Sequence, residues 1–175
     1  PPALAGRRRG NLMKRFFMRL LPQIKNRDRN DKNVAIISAG VTLYEALKAQ
    51  EQLAIDGKEV VVIDLYCIKP IDEAKLRETV LSGANAVQVV TVEDHWYDGG
   101  LGDAVLNVFA ANPAHPRGVH QVSTRLHPAG EGSGGVQVHK LAVSKMPMSG
   151  RGNELLEFEG ISASAIVKSV REILG

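Results

Sequence analysis

Hydrophobic residues recur along the chain with two different periods, which alternate from one segment to the next. Short runs rich in Val and Ile predict four strands, over residues 34–38, 59–65, 86–92 and 136–143. After the first run, Leu43, Ala46 and Leu47 follow the spacing of an amphipathic helix. Nearly continuous apolar strands joined by helices predict an α/β fold whose mostly parallel sheet is covered on both faces.

Residues that favour helix ends punctuate this pattern. Thr42 and Asp72 stand where they would cap the helices after the first and second strands, and Gly57 suits a left-handed helix end. Ser162 is placed to cap the terminal helix. Further helices are predicted over residues 101–111, 153–158 and 162–174.

Two segments differ in composition from the rest. Residues 1–32 carry ten Lys or Arg and two Asp, a net charge of +8, whereas the remainder carries twelve bases and seventeen acids, a net of −5. We expect residues 1–32 to be a flexible basic lead; a nucleic-acid contact, a membrane contact and a targeting peptide are the alternatives. Residues 112–135 are rich in Pro, Gly and His, which predicts a long exposed loop. The domain is therefore expected over residues 33–175.

Cysteine content and hydropathy bear on the cellular compartment of the protein. Cys67 is the chain's single cysteine, so no intrachain disulfide is possible, and we expect its thiol to be buried packing. No apolar run approaches the roughly 20 residues that a membrane-spanning helix needs. These features favour a cytoplasmic location.

The stretch TVEDHWYDGGLGD, residues 91–103, holds the most chemically suggestive side chains. Its glycines would allow a turn that presents backbone N–H groups to a phosphate, but its carboxylates would repel one. Those carboxylates belong to Glu93, Asp94, Asp98 and Asp103. A divalent metal is a further alternative, although neighbouring residues of a strand end point in different directions.

We predict instead that this stretch is a packing and subunit-contact turn. Trp96 and Tyr97 are large, partly polar rings beside charged groups, a composition typical of interface anchors. Asp103 falls in the first turn of the next helix, where a carboxylate is favourable. The residues assigned to the turn are Glu93, Asp94, His95, Trp96, Tyr97, Gly99, Gly100 and Gly102.

Other candidate groups lack a recognisable setting. His115, His120 and His127 have no nearby cysteines, so solvated side chains are favoured over a zinc site. Ser38 and Ser149, like Cys67, occur in no nucleophile-elbow motif.

Four blocks, in this order, resemble the C-terminal domain of animal-type transketolases: VAIISAGVTLYEAL, VVVIDLYCIKPID, VVTVEDHWYDGGLGDAV and VHKLAVSKMPMSG. The domains of 1-deoxyxylulose-phosphate synthases and of 2-oxoacid dehydrogenase β subunits are similar more distantly. The resemblance covers residues 33–111 and 136–175. It implies a three-layer α/β/α sandwich on a mixed five-stranded sheet with one antiparallel edge strand. Pro22 and the charges of residues 25–32 argue against such an edge strand in the basic lead.

The resemblance also implies a function. Transketolases transfer a two-carbon ketol unit between sugar phosphates with thiamine diphosphate and Mg²⁺, which the family's N-terminal and middle domains bind. We therefore assign this chain no catalytic, cofactor-binding or metal-binding residue, and expect it to be inactive alone. Its expected role is scaffold and homodimer contact beside those missing domains, in the same or a separate chain. The alternative is a non-catalytic α/β binding module that uses residues 1–32 on nucleic acid or membrane.

Overall fold

The computed structural model of the chain describes residues 19–20, 33–81, 87–110 and 136–175. The predictions for the remainder of the basic lead and for the 112–135 loop lie outside the described residues. The strands are β1 (Arg19–Leu20), β2 (Asn33–Ser38), β3 (Val60–Asp64), β4 (Val87–Trp96) and β5 (Val136–Val143). The helices are α1 (Val41–Ile55), α2 (Glu73–Leu81), α3 (Leu101–Ala110), α4 (Gly152–Glu159) and α5 (Ala163–Leu174).

The five strands form one mixed sheet in the order β1-β3-β2-β4-β5. Strands β2, β3, β4 and β5 run parallel to one another, and β1 pairs antiparallel with β3. The expectation that the basic lead supplies no edge strand was wrong, because Arg19 and Leu20 pair with Asp64 and Ile63. This strand ends before Pro22, so the missing proline N–H does not interrupt the pairing.

Helices cover both faces of the sheet, which confirms the predicted α/β architecture. Alternate residues of β2 enter opposite cores: Val34 and Ile36 pack towards α1 and α5, whereas Ala35 and Ile37 pack towards α2 and α3. Each Val or Ile buried in this way stabilises the fold by about 1.5 to 3 kcal/mol. None of the helices that the structure describes has the length and apolar character required to cross a membrane.

The helix ends follow the predictions with one exception. Asp72 Oδ1 accepts a hydrogen bond from Lys75 N at 3.1 Å, and Ser162 Oγ accepts one from Ala165 N at 3.3 Å. The predicted cap at Thr42 was wrong, because α1 begins after Gly40. The buried Thr42 hydroxyl instead lies 2.9 Å from the carbonyl oxygens of Ala39 and Val92, and so ties α1 to the sheet.

Candidate functional site

Strand β4 continues four residues beyond its predicted end at Val92. Trp96 pairs with Val143 of β5 after an irregularity in the register, so the polar residues before Trp96 lie on the strand and not in the turn. Sequence periodicity predicted an earlier end of the strand because these residues are polar, although their backbone extends the parallel ladder. The turn itself comprises residues 97–100, and α3 follows it.

Glu93 is the polar residue that organises this turn. Its side chain is buried, and its carboxylate accepts hydrogen bonds from Leu101 N at 2.5 Å and Gly102 N at 2.9 Å. These N–H groups belong to the first turn of α3 and have no acceptor within the helix. Glu93 therefore satisfies two otherwise unpaired donors and places a negative charge at the positive end of the helix.

The glycines of the turn give this carboxylate its room. Gly99 has a φ of +82°, a conformation that other residues rarely adopt. A Cβ on Gly100 would lie 1.9 Å from Glu93 Oε2, and one on Gly102 would lie 2.8 Å from Glu93 Oε1. In the sequence GGLG, the first glycine thus allows the left-handed backbone, and the second and third leave space for the Glu93 carboxylate.

This geometry bears directly on the phosphate and metal alternatives. The donors that a phosphate would use at the start of α3 are already bound by Glu93, so an anion would have to displace a buried carboxylate. Both oxygens of Glu93 accept hydrogen bonds from backbone N–H groups of α3. Over the described part of the chain, no three His, Cys, Asp or Glu side chains are grouped as metal ligands.

A buried lysine holds the other side of the turn. Lys140, on β5, has a side chain only 3% exposed, and its Nζ lies 2.8 Å from Asp103 Oδ1. The same amine donates to the carbonyl oxygen of Tyr97 and lies 4.2 Å from the centre of the Tyr97 ring. Asp103 Oδ2 also accepts from Gly99 N at 2.5 Å. We call Tyr97, Gly99, Asp103 and Lys140 the Lys140 clasp.

The clasp fixes the ionisation of Asp103. Partial burial by itself raises the pKa of this carboxyl. The hydrogen bonds from Lys140 and Gly99 and the charge of Lys140 outweigh burial and lower the pKa below its usual value of 3.8. Sequence reasoning missed Lys140, although its place on the same strand face as Val136, Val138 and Ala142 was the available signal.

The remaining side chains assigned to the turn face outward. Asp94, His95 and Trp96 are exposed, Trp96 to 51%, and Tyr97 is half-buried. His95 Nδ1 lies 2.8 Å from the Trp96 carbonyl oxygen, so as the Nδ1–H tautomer it donates a hydrogen bond there. The structure thus places the predicted anchor ring in solvent at the end of β4, directly before a turn that is held from both sides. Its contact role remains a prediction.

Trp96 belongs to a wider exposed region, which we call the carboxyl edge because strands β2 to β5 end there. Large hydrophobic side chains are exposed at or just beyond these strand ends, at Val41, Tyr44, Tyr66, Ile68, Trp96, Met146 and Met148. At the opposite edge, Ile55 and Leu81 are exposed at the ends of their helices. Exposed apolar groups concentrated on one side are typical of a contact surface.

The other candidate groups do not converge on this site. Ser38 is fully buried, and its hydroxyl has no hydrogen-bond partner among the described residues. Cys67 is partly exposed and not buried as expected, because the chain leaves the sheet at Leu65; its Sγ lies 3.5 Å from the Pro70 carbonyl oxygen. Ser149 is exposed. The three histidines of the 112–135 segment lie outside the described residues.

Comparison with known proteins identifies the domain. The family model of the transketolase C-terminal domain matches residues 25–129. Mouse transketolase-like protein 1 is 40% identical over 147 residues, which are 83% of this chain and 20% of that protein. Mouse transketolase is 38% identical over 146 residues, which are 82% of this chain and 19% of that protein. The chain thus spans about a fifth of the length of the curated relatives it matches.

A solved structure agrees with these relatives. A split-gene transketolase, described as an inactive β4 tetramer, matches with a TM-score of 0.61 and 29% identity, over 83% of this chain and 40% of that chain. The matches support the transketolase prediction and give no support to the alternative of a free-standing binding module. The chain belongs to the transketolase C-terminal domain family.

Proposed function

We propose that this chain acts as the C-terminal portion of a thiamine-diphosphate-dependent transketolase, as scaffold and homodimer-contact domain. The whole enzyme would transfer a two-carbon ketol unit between sugar phosphates. The observation that carries this proposal is the family match over residues 25–129, together with relatives of whose length the chain spans about a fifth. The remaining domains would come from the same chain or from a separate one, and we propose a cytoplasmic location.

The contact role rests on the carboxyl edge. Trp96 is a large ring, half exposed, at the end of β4 and directly before a turn whose backbone is held by Glu93 and Lys140. Rigid aromatic side chains that lose little entropy on association are typical interface anchors. The split-gene relative is described as assembling into a tetramer, which also favours subunit contacts in this family.

The turn between β4 and α3 does not fit the cofactor. Thiamine diphosphate needs donors for its pyrophosphate and oxygen ligands for its Mg²⁺, yet the start of α3 is occupied by Glu93, and the described chain groups no three metal-ligating side chains. We therefore propose that both are bound entirely outside this chain, which makes the chain inactive alone.

A chimeric enzyme tests the proposal. Residues 33–175 would replace the corresponding C-terminal domain of mouse transketolase, the relative with 38% identity. We expect a dimeric chimera with transketolase activity, measured by analytical ultracentrifugation and by a coupled ketol-transfer assay. A matched chimera that carries Ile55→Ala, at the opposite edge from Trp96, serves as the control. A folded chimera that is monomeric and inactive at all protein concentrations would contradict the proposed role.

A further inference from the structure

Lys140 occupies a position where the strand pattern favours an apolar residue. It lies within β5, its side chain is 3% exposed, and Leu141, Ala142 and Val143 follow it. A buried ammonium group is unfavourable unless it is paired and hydrogen-bonded. The contacts that offset this burial all lie between Tyr97 and Asp103, in the turn after β4 and the first turn of α3.

Each contact restrains a different part of the turn. The Lys140 amine donates a hydrogen bond to the carbonyl oxygen of Tyr97, the residue directly after Trp96, and also lies against the Tyr97 ring. The Asp103 carboxylate links Lys140 to Gly99, because it also accepts a hydrogen bond from the Gly99 N–H. The lysine stem also fills the space over Gly102, where an added Cβ would lie 2.7 Å from Lys140 Cε.

We infer that Lys140 is a positioning residue that fixes Trp96 in its exposed orientation without contacting a partner itself. The backbone of Trp96 is held by its pairing with Val143 on one side and by the Lys140–Tyr97 hydrogen bond immediately after it. Removal of the amine leaves the pairing of Trp96 with Val143 and removes the restraint on the other side of Trp96, at Tyr97. The consequence for subunit affinity rests on the proposed function, whereas the local effect on Trp96 does not.

Trp96 provides a specific readout because it is the chain's only tryptophan. In the 175-residue chain, Lys140→Met keeps an unbranched stem over Gly102 but removes the amine. We expect the fluorescence anisotropy of Trp96 to fall and its near-ultraviolet circular dichroism to weaken, while the far-ultraviolet spectrum keeps its shape. Lys168→Met, at an exposed lysine of α5, serves as the matched control and should change none of these signals.

A second variant keeps the test valid if Lys140→Met does not fold. Asp103→Asn preserves the shape of the clasp and the amine but removes the opposite charge, so Trp96 anisotropy should again fall, by less than in Lys140→Met. Trp96 anisotropy that equals the unmodified value in every variant that folds would overturn the inference.

The chimeric enzyme separates this inference from the proposed function. There, Lys140→Met should raise the subunit dissociation constant about tenfold, in the range of an indirect interface effect. If Trp96→Ala weakens the dimer and Lys140→Met does not, the positioning role is wrong and the contact role stands. If Trp96→Ala leaves the dimer unchanged, the contact role is wrong, and the anisotropy measurement alone decides the positioning role.

Discussion

Glu93 should contribute more to stability than any exposed acid, because two buried N–H groups depend on it. Glu93→Gln keeps the size of the side chain but turns an NH₂ donor towards Leu101 N or Gly102 N. One helix donor then loses its partner, so we expect a loss of about 1 to 3 kcal/mol in the free energy of unfolding, measured by urea denaturation.

The matched control for Glu93→Gln is Glu51→Gln on the exposed face of α1, which should change stability by less than about 0.5 kcal/mol. Equal effects of the two substitutions would show that the carboxylate does not stabilise the start of α3.

Gly100 should tolerate no side chain. In Gly100→Ala the new Cβ would lie 1.9 Å from Glu93 Oε2, and the carboxylate has no free space because it is buried against α3. We expect the chain to lose about 2 kcal/mol or more, as in other overpacked sites, with a matching fall in thermal midpoint.

Gly152→Ala is the control for this prediction. Gly152 is the first residue of α4, and nothing lies within 4 Å of a Cβ there. The alanine should be neutral or slightly stabilising, since it reduces the freedom of the unfolded chain. A tolerated Gly100→Ala would mean that Glu93 does not occupy the helix end in solution.

The joint between β5 and α3 should depend on pH through Asp103. The folded-state pKa of this carboxyl is lowered, so its contribution to stability is fully present above about pH 4 to 5 and is lost as the pH falls through the lowered pKa. Asp103→Asn removes that contribution at every pH. We therefore expect the stability difference between the unmodified chain and Asp103→Asn to be large at pH 7 and to shrink towards pH 3, measured by urea denaturation at each pH. A difference that stays constant over this range would contradict the ion pair.

Sequence periodicity predicts elements well where one face is continuously buried. Periodicity predicted the strands β2, β3 and β5 and the helix α5, because burial imposes the spacing of their apolar residues. Pattern alone did not reveal β1 or the last four residues of β4, since edge pairing and parallel ladders use the backbone and accept polar side chains.

Local sequence indicated the turn after β4 but not the contacts that hold it. The residues DGGLGD indicated a tight turn into a helix, and the aromatic pair indicated an exposed anchor. The cap from Glu93 spans eight residues to Leu101, and the amine of Lys140 reaches Asp103 across 37 positions, so neither contact follows a local spacing rule. The first depends on how β4 leads into α3 and the second on how β5 lies beside β4, and only the fold determines both.

Because exposed hydrophobic side chains concentrate at the carboxyl edge, substitutions at the two edges can test whether that edge is an interface. In the dimeric chimera, Trp96→Ala removes a half-exposed ring from the carboxyl edge and should weaken dimerisation by about 2 kcal/mol or more. That change raises the dissociation constant about 30-fold. His95→Ala should weaken it less, since it removes one hydrogen bond to the Trp96 carbonyl oxygen and leaves the ring in place.

Protein concentration distinguishes loss of contact from loss of chemistry. If the thiamine site lies between subunits, the activity of Trp96→Ala falls in dilute solution and returns at high concentration, in step with the dimer seen by analytical ultracentrifugation. Ile55→Ala, which removes an 87%-exposed side chain from the opposite edge, should leave both curves unchanged. An intact dimer whose turnover drops in His95→Ala would instead assign this turn a part in the reaction, since a contact residue acts on activity only through the fraction of enzyme that is dimeric.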